Sequence, residues 1–353
     1  MVIHRARLPF CLAVAASSAL AACGSEGEEP LAAPGYEEQA VLDVKAIIQT
    51  NLDGLAAAAA ALQAAAPEPD EDGWSAAADK DAVDAMKAEW KKARWAYEHV
   101  EGAIAVLFRD LDVSTDARYD AFIEAAADAD PFDGEGVTGV HAIERILWSD
   151  AIPPAVVEFE SGLGARYRAA AFPATEAEAK AFKRGLCARL VADTRKMQSD
   201  FRGLALDAPS AFRGVIGSLG EQVEKVAKAA TGEEESRYAQ YTLADMRANV
   251  AAGRLTYAAF QRWLLSKEGD AAAVDQAVLD GFERLEDAYA ALPGDALPPV
   301  PDLWSSEDPT SAQLETPFGQ LFSLVQRESD DAVEGSLVRS MGEAADLLGI
   351  PEL

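Results

Sequence analysis

The chain has 353 residues, half of them hydrophobic, which supplies apolar material for one large or two medium cores and excludes global disorder. Its formal net charge of -29 argues against nucleic acid or an anionic lipid surface as partner and suits a domain that meets cations. Glycine-rich phosphate loops and Gly-x-Ser-x-Gly elbows are missing, and so are the His-Glu-x-x-His and His-x-x-Glu-His zinc motifs, since residue 145 after "HAIE" is arginine.

Residues 1–23 carry two arginines, an apolar run too short to span a bilayer, and small residues before a cysteine, the pattern of an export signal. Its end, Leu20-Ala21-Ala22-Cys23, resembles the bacterial lipobox, so Cys23 is expected to be lipidated and to become the first residue of the mature, membrane-anchored protein. Loss of Arg5 and Arg7 with the signal takes the charge to -31 (-29 minus 2). Cys11 leaves with the signal as well, which leaves Cys187 without an internal disulfide partner. Residues 24–36, polar with glycine and proline, read as a flexible tether.

Beyond the tether, apolar residues recur at three and four rather than two, so the expected fold class is all-α. Val41, Val44, Ile48, Leu52 and Leu55 mark a first helix, which "APEPDEDG" at 66–73 ends. From Val83 the series Met86, Trp90, Ala93, Tyr97, Val100, Ile104 and Leu107 predicts one continuous helix with a single buried seam. A third helix is expected from near Ser114, carrying Tyr119, Phe122 and Ile123. A fourth starts after Thr138 as N-cap and stops at Pro153-Pro154. After a linker at 151–172, Thr175 and Glu178 form a capping-box pattern ahead of a helix bearing Phe182, Leu186, Leu190, Met197 and Phe201. Further helices are expected near 210–230, 241–266, 271–292 and 312–347, separated by "TGEEE", "SKEGD" and "LPGDALPPVPD". The helical domain at 37–350 thus reads as two four-helix-bundle-like halves, about 37–150 and 173–350.

Two constellations carry chemistry. His141 and Glu144 are three apart, so on a helix they share a face and can grip one ion. Glu98 and Glu101 in "YEHVE" repeat the spacing on the seam helix, at the margin of its apolar positions. Bundle proteins assemble core metal sites from such pairs on facing helices, and imidazole with carboxylates suits iron, zinc or manganese. Arg94, one turn before Glu98, offers a salt bridge instead, the structural alternative to a ligand role. His99 points about a hundred degrees from Glu98 and reads as a surface or packing residue.

"GVHAIERILW" resembles the Gly-x-His-x-x-Glu signature of the imelysin family, and the form followed by Leu147-Trp148 is similar to its EfeO-type branch. "WKKARWAYEHVEG", "LDVSTDAR" and "TGEEESRYAQYTLADMRANV" resemble further blocks of the family in the same order, so that four blocks agree over roughly 85–150 and 215–255. The resemblance implies an all-helical fold of two four-helix bundles that binds metal at His141 and Glu144, Glu98 and Glu101, Asp116 and Glu224. Two departures stand out. Arg237-Tyr238-Ala239-Gln240-Tyr241-Thr242-Leu243 lacks a histidine and an aspartate usual in the EfeO-type block, which weakens the case for ligands there, and Gly102 replaces a common proline. The tether leads straight into helix, so the bundle-only type without a cupredoxin domain is expected. The expected function is extracytoplasmic capture of a metal ion, iron or zinc, by a lipid-anchored protein of the periplasm, outer membrane or cell surface that hands its cargo to an iron permease. The alternatives are a metal-dependent peptidase, with Glu144 or Glu101 as general base, and a surface binding module that has lost the metal site.

Overall fold

Alanine-rich stretches and apolar residues at helical spacing fold here as helices throughout, and the computed structural model contains no strand among the residues it describes, 34–75, 77–120 and 128–351. The export signal, Cys23 and the tether through residue 33 lie outside the described residues, as do Phe122 and Ile123. Helix α1 (Tyr36–Ala65) packs along α2 (Lys80–Glu98), and the chain continues through α3 (Glu101–Leu107), α4 (Arg109–Asp116), α5 (Val140–Leu147) and α6 (Pro154–Ser161). Next come α7 (Glu176–Ala181), which a π-helical turn at Phe182–Leu186 joins to α8 (Cys187–Gly203), then α9 (Ala208–Ala229), α10 (Thr242–Leu264) and α11 (Ala271–Ala291). The chain closes with α12 (Ser311–Leu314), α13 (Pro317–Glu328) and α14 (Leu337–Leu348). No helix among the described residues is long and apolar enough to cross a membrane.

Two apolar clusters hold these helices. The larger joins Val44, Leu52, Tyr97 and Ile104 to Phe212, Met246, Phe260, Phe282, Phe318 and Met341. The smaller joins Leu62, Met86, Trp90, Ile143 and Leu147 to Phe182, Leu186 and Cys187. Helices far apart in the sequence meet in both, and the charged centre described below draws its side chains in part from α2, α5, α9 and α10.

Several elements differ from the sequence expectation. The seam residues Val83, Met86, Trp90, Ala93, Tyr97, Val100 and Ile104 are all buried, yet they do not share one helix, because the chain breaks at His99-Val100. The break lets α3 lean onto α9 at glycine-to-glycine distance: a Cβ on Gly102 would lie 2.6 Å from Gly214 O. Ser114 sits in the last turn of α4 rather than at a helix start. Pro153-Pro154 opens α6, with proline at its first position where no N–H is needed, so the supposed linker holds a helix. The stretch 312–347 is three helices, restarted by the side-chain N-caps Thr316 and Ser336. Thr175 does cap its helix, accepting from Glu178 N.

Thr138 is not the N-cap of α5; that position falls to Gly139, at φ 94°. Thr138 Oγ1 instead donates to Ser114 O, and a Cβ on Gly139 would lie 2.5 Å from Thr115 O. This close approach seats the start of α5 on the end of α4. Gly139→Ala is therefore expected to destabilise the protein by about 2 kcal/mol or more, from left-handed strain plus the clash. Urea unfolding of the purified domain measures it, and an unchanged midpoint would contradict the assignment.

Candidate metal centre

Every residue of α5 is buried, so its polar side chains need internal partners. His141 Nδ1 donates to Glu144 Oε2 at 2.6 Å, and the other carboxylate oxygen of Glu144 accepts from the backbone N–H groups of Tyr238, at 2.9 Å, and Ala239, at 2.8 Å. Glu144 thus fixes the imidazole and has its own oxygens engaged. Among the described residues His141 Nε2 has no hydrogen bond; Asp116 Oδ1, 3.5 Å away, is in ion-pair range only. A histidine oriented through one nitrogen by a carboxylate, with the other nitrogen free, is the usual arrangement of a metal-ligating imidazole.

Around Nε2 the chain gathers charge. The fully buried Arg94 donates to Glu98 and Asp116, to Glu235 Oε1 at 2.6 Å and to Asp245 Oδ2 at 3.3 Å. Lys225, also fully buried, lies 2.5 Å from Glu235 Oε2, 3.1 Å from Glu101 Oε2 and 3.3 Å from Glu98 Oε2. Asn249 Nδ2 donates to Glu101 at 2.8 Å. Ligand-type atoms converge in two groups, Asp116, His141 and Glu235 in one and Glu98, Glu101 and Glu235 in the other, the chosen atoms of each group lying within 4.8 Å of one another.

Six carboxylates, those of Glu98, Glu101, Asp116, Glu144, Glu235 and Asp245, face three basic groups, Arg94, His141 and Lys225. The proton affinities register the imbalance. Burial, reinforced by Glu98, pushes the Glu101 carboxyl well above its usual range. Burial also raises Asp245 to about 7, against the pull of Arg94. Burial would raise Glu235 too, but Lys225 and Arg94 outweigh it and hold that group at about 2. For His141, burial favours the neutral ring, yet the neighbouring carboxylates of Asp116 and Glu144 prevail and lift it to about 9. Excess buried carboxylate, with an imidazole nitrogen and oxygens of Glu98 and Asp245 that have no hydrogen bond among the described residues, makes a centre whose donor set suits a cation.

Of the six residues singled out in the sequence, the structure brings His141, Glu144, Glu98, Glu101 and Asp116 together. Glu224 lies apart: its side chain is half exposed on α9 and pairs with Lys228 one turn on, because the inward-facing position of that helix belongs to Lys225. Arg94 does make the salt bridge to Glu98 that spacing allowed. His99 stacks on Trp95 with ring centroids 3.7 Å apart, away from the centre.

Glu235 was not singled out. It belongs to "TGEEE", which reads as a separator between helices, and its signal was its place at the head of a family-like block. The loop bearing it is held from two sides: Arg145 donates to Glu160 at 3.0 Å while Tyr238 donates to the same carboxylate, and Arg237 donates to Asp120 at 2.7 Å. Gln240, at φ 51°, closes the turn by donating to Arg237 O, so the position where a histidine is usual carries an amide bonded within its own turn.

Known proteins resemble this chain in sequence and in fold. The family model described as Imelysin (peptidase M75) matches residues 48–325. The iron uptake system component EfeO of Yersinia pseudotuberculosis is 31% identical over 154 residues, which is 44% of this chain and 31% of that protein. The protein of the same name from Escherichia coli K12 is 29% identical over 168 residues, 48% of this chain and 35% of that one. The chain therefore spans about a third of the length of these curated relatives. A solved imelysin-like protein from Psychrobacter arcticum superposes with a TM-score of 0.57 at 11% identity, over 90% of this chain and 98% of that one, a likeness of fold.

The electrostatics carry a testable consequence. His141 has a folded pKa of about 9 against 6.5 in the free residue, so its contribution is complete below 6.5 and is lost as pH rises through about 9. Asp245, Glu221 and Glu234, each raised to about 7 chiefly by burial, likewise release protons late in the folded state and make stability fall over the preceding range. Metal-free protein is thus expected to lose stability steadily from pH 5 to 9. The His141 share is on the order of 3 kcal/mol, and His141→Gln should flatten the upper part of the curve. Unfolding free energies measured in chelator across this range check it, and a rise toward pH 9 would contradict it.

Proposed function

The chain belongs to the imelysin family, and from that premise we propose that it captures a metal cation, iron in the first instance, through His141, Asp116 and Glu235. The observation that carries this reading is the free Nε2 of a buried, carboxylate-oriented histidine beside two carboxylates. Nitrogen and oxygen donors suit iron and zinc alike, and the names of the EfeO relatives favour iron as cargo. Cys187, buried in the smaller apolar cluster with its thiol pushed far up by burial, supplies no soft ligand. Asp116, with its side chain 18% exposed, gives the ion a way in from solvent.

On this reading an export signal, a lipid at Cys23 and the tether hold the helical domain at 37–350 outside the cytoplasmic membrane. From there the protein delivers its ion to a permease as part of an iron uptake system. Binding is favoured over peptide hydrolysis because neither candidate general base is free. Glu144 is engaged by His141, Tyr238 and Ala239, and Glu101 by Lys225 and Asn249.

Calorimetry with ferrous iron under anaerobic conditions and with zinc tests the assignment. His141→Ala and Asp116→Asn are each expected to weaken binding at least a hundredfold. Glu144→Gln, which loosens the imidazole without removing a ligand, should cost about 10–100-fold, and Glu224→Gln should leave affinity unchanged. Native stoichiometry and affinity in the His141→Ala, Glu144→Ala double variant would sink the proposal.

A further inference from the structure

Glu98, Glu101 and Glu235 make a second triad of buried carboxylates, on three separate segments, yet the space between them is taken. Lys225 Nζ sits 2.5 Å from Glu235, 3.1 Å from Glu101 and 3.3 Å from Glu98, with its side chain fully buried. Asn249 donates to Glu101 from the far side, so the triad is held in place by a neutral group as well as by the ammonium. Glu98 Oε2 is buried and, although near the ammonium, accepts no hydrogen bond. Arg94 also bonds Glu98 and Glu235 from outside the triad, yet with the ammonium as sole occupant between the three carboxylates Glu98 Oε2 is left without a hydrogen bond among the described residues. Glu235 is shared with the His141 triad, its two oxygens turned one to Arg94 and one to Lys225.

We infer that the Lys225 ammonium is a resident occupant of a second cation site, which limits the native chain to one metal ion, and that replacing it with a neutral side chain opens that triad to a divalent ion. The chemistry is a match of charge and donors. Three carboxylate oxygens and an anchored amide neighbour suit a hard or borderline divalent cation, and the lysine supplies one charge where such an ion supplies two. Because Glu235 borders both triads, a second ion would sit next to the first and repel it. A fixed monovalent ammonium at that place keeps the acids neutralised while leaving the first ion free to depart. The count of one rests on the function proposed above; the plugging of the second triad does not.

Bound zinc and, separately, manganese per chain, measured after equilibrium dialysis, test this on the native chain, on Lys225→Met and on Lys225→Gln, with folding followed by circular dichroism. One ion is expected for the native chain and two for either variant. Adding Glu101→Gln to Lys225→Met should take the count back to one, and adding His141→Ala instead should leave the second ion in place. Lys225→Arg, which keeps the cation, should bind one. No ion on the native chain with one on Lys225→Met would sink the function proposed above while upholding this inference. A native count of two, or a folded neutral variant with the native count, would overturn it, and the native count applies even if neither neutral variant folds.

Discussion

Three basic groups, Arg94, Lys225 and His141, lie buried among six carboxylates, and the surrounding helices are arranged to tolerate that imbalance. Charge removed from water must be matched by partners, and unmatched charge raises the cost of every neighbouring ionisation. Asp245 and Glu101 show this as raised proton affinity, while Asp116 and Glu235, closest to the cations, are held ionised. An additional cation would lower that cost, which is how the acidic composition of the chain bears on the proposed binding.

The geometry of the centre depends on departures from regular helix. The break at His99-Val100 separates Glu98 from Glu101, yet both end at Lys225. Gly139 brings α5 against α4 and so His141 to Asp116. The turn closed by Gln240 presents two backbone N–H groups to Glu144. A straight bundle would offer side chains at helical spacing; these irregular positions bring donors from distant segments to common points. That is where strain is retained when a site requires it.

Helical character, the buried faces and the His141 and Glu144 pair were legible in the sequence because they follow from local periodicity. Val83 through Ile104 is a buried seam whether or not the helix is continuous, so the pattern could not reveal the break. Spacing put His141 and Glu144 on one face, but whether both grip an ion or one holds the other depends on Tyr238 and Ala239, almost a hundred residues away. Glu235 was obscured by its neighbours: in a run of three glutamates nothing local distinguishes the one that turns inward. Glu224 and Lys225 differ by one position on α9, and only tertiary packing determines which faces the acids.

The central claim is that His141 Nε2, Asp116 and Glu235 hold the ion. Anomalous diffraction at the iron and zinc edges from crystals equilibrated with each metal addresses it most directly. The account predicts one ion at coordination distance, about 2.0–2.2 Å, from Nε2 and from oxygens of Asp116 and Glu235, with Glu144 still bonded to the imidazole. An ion bound elsewhere with His141 Nε2 uncoordinated, or no ion at saturating metal, would contradict it.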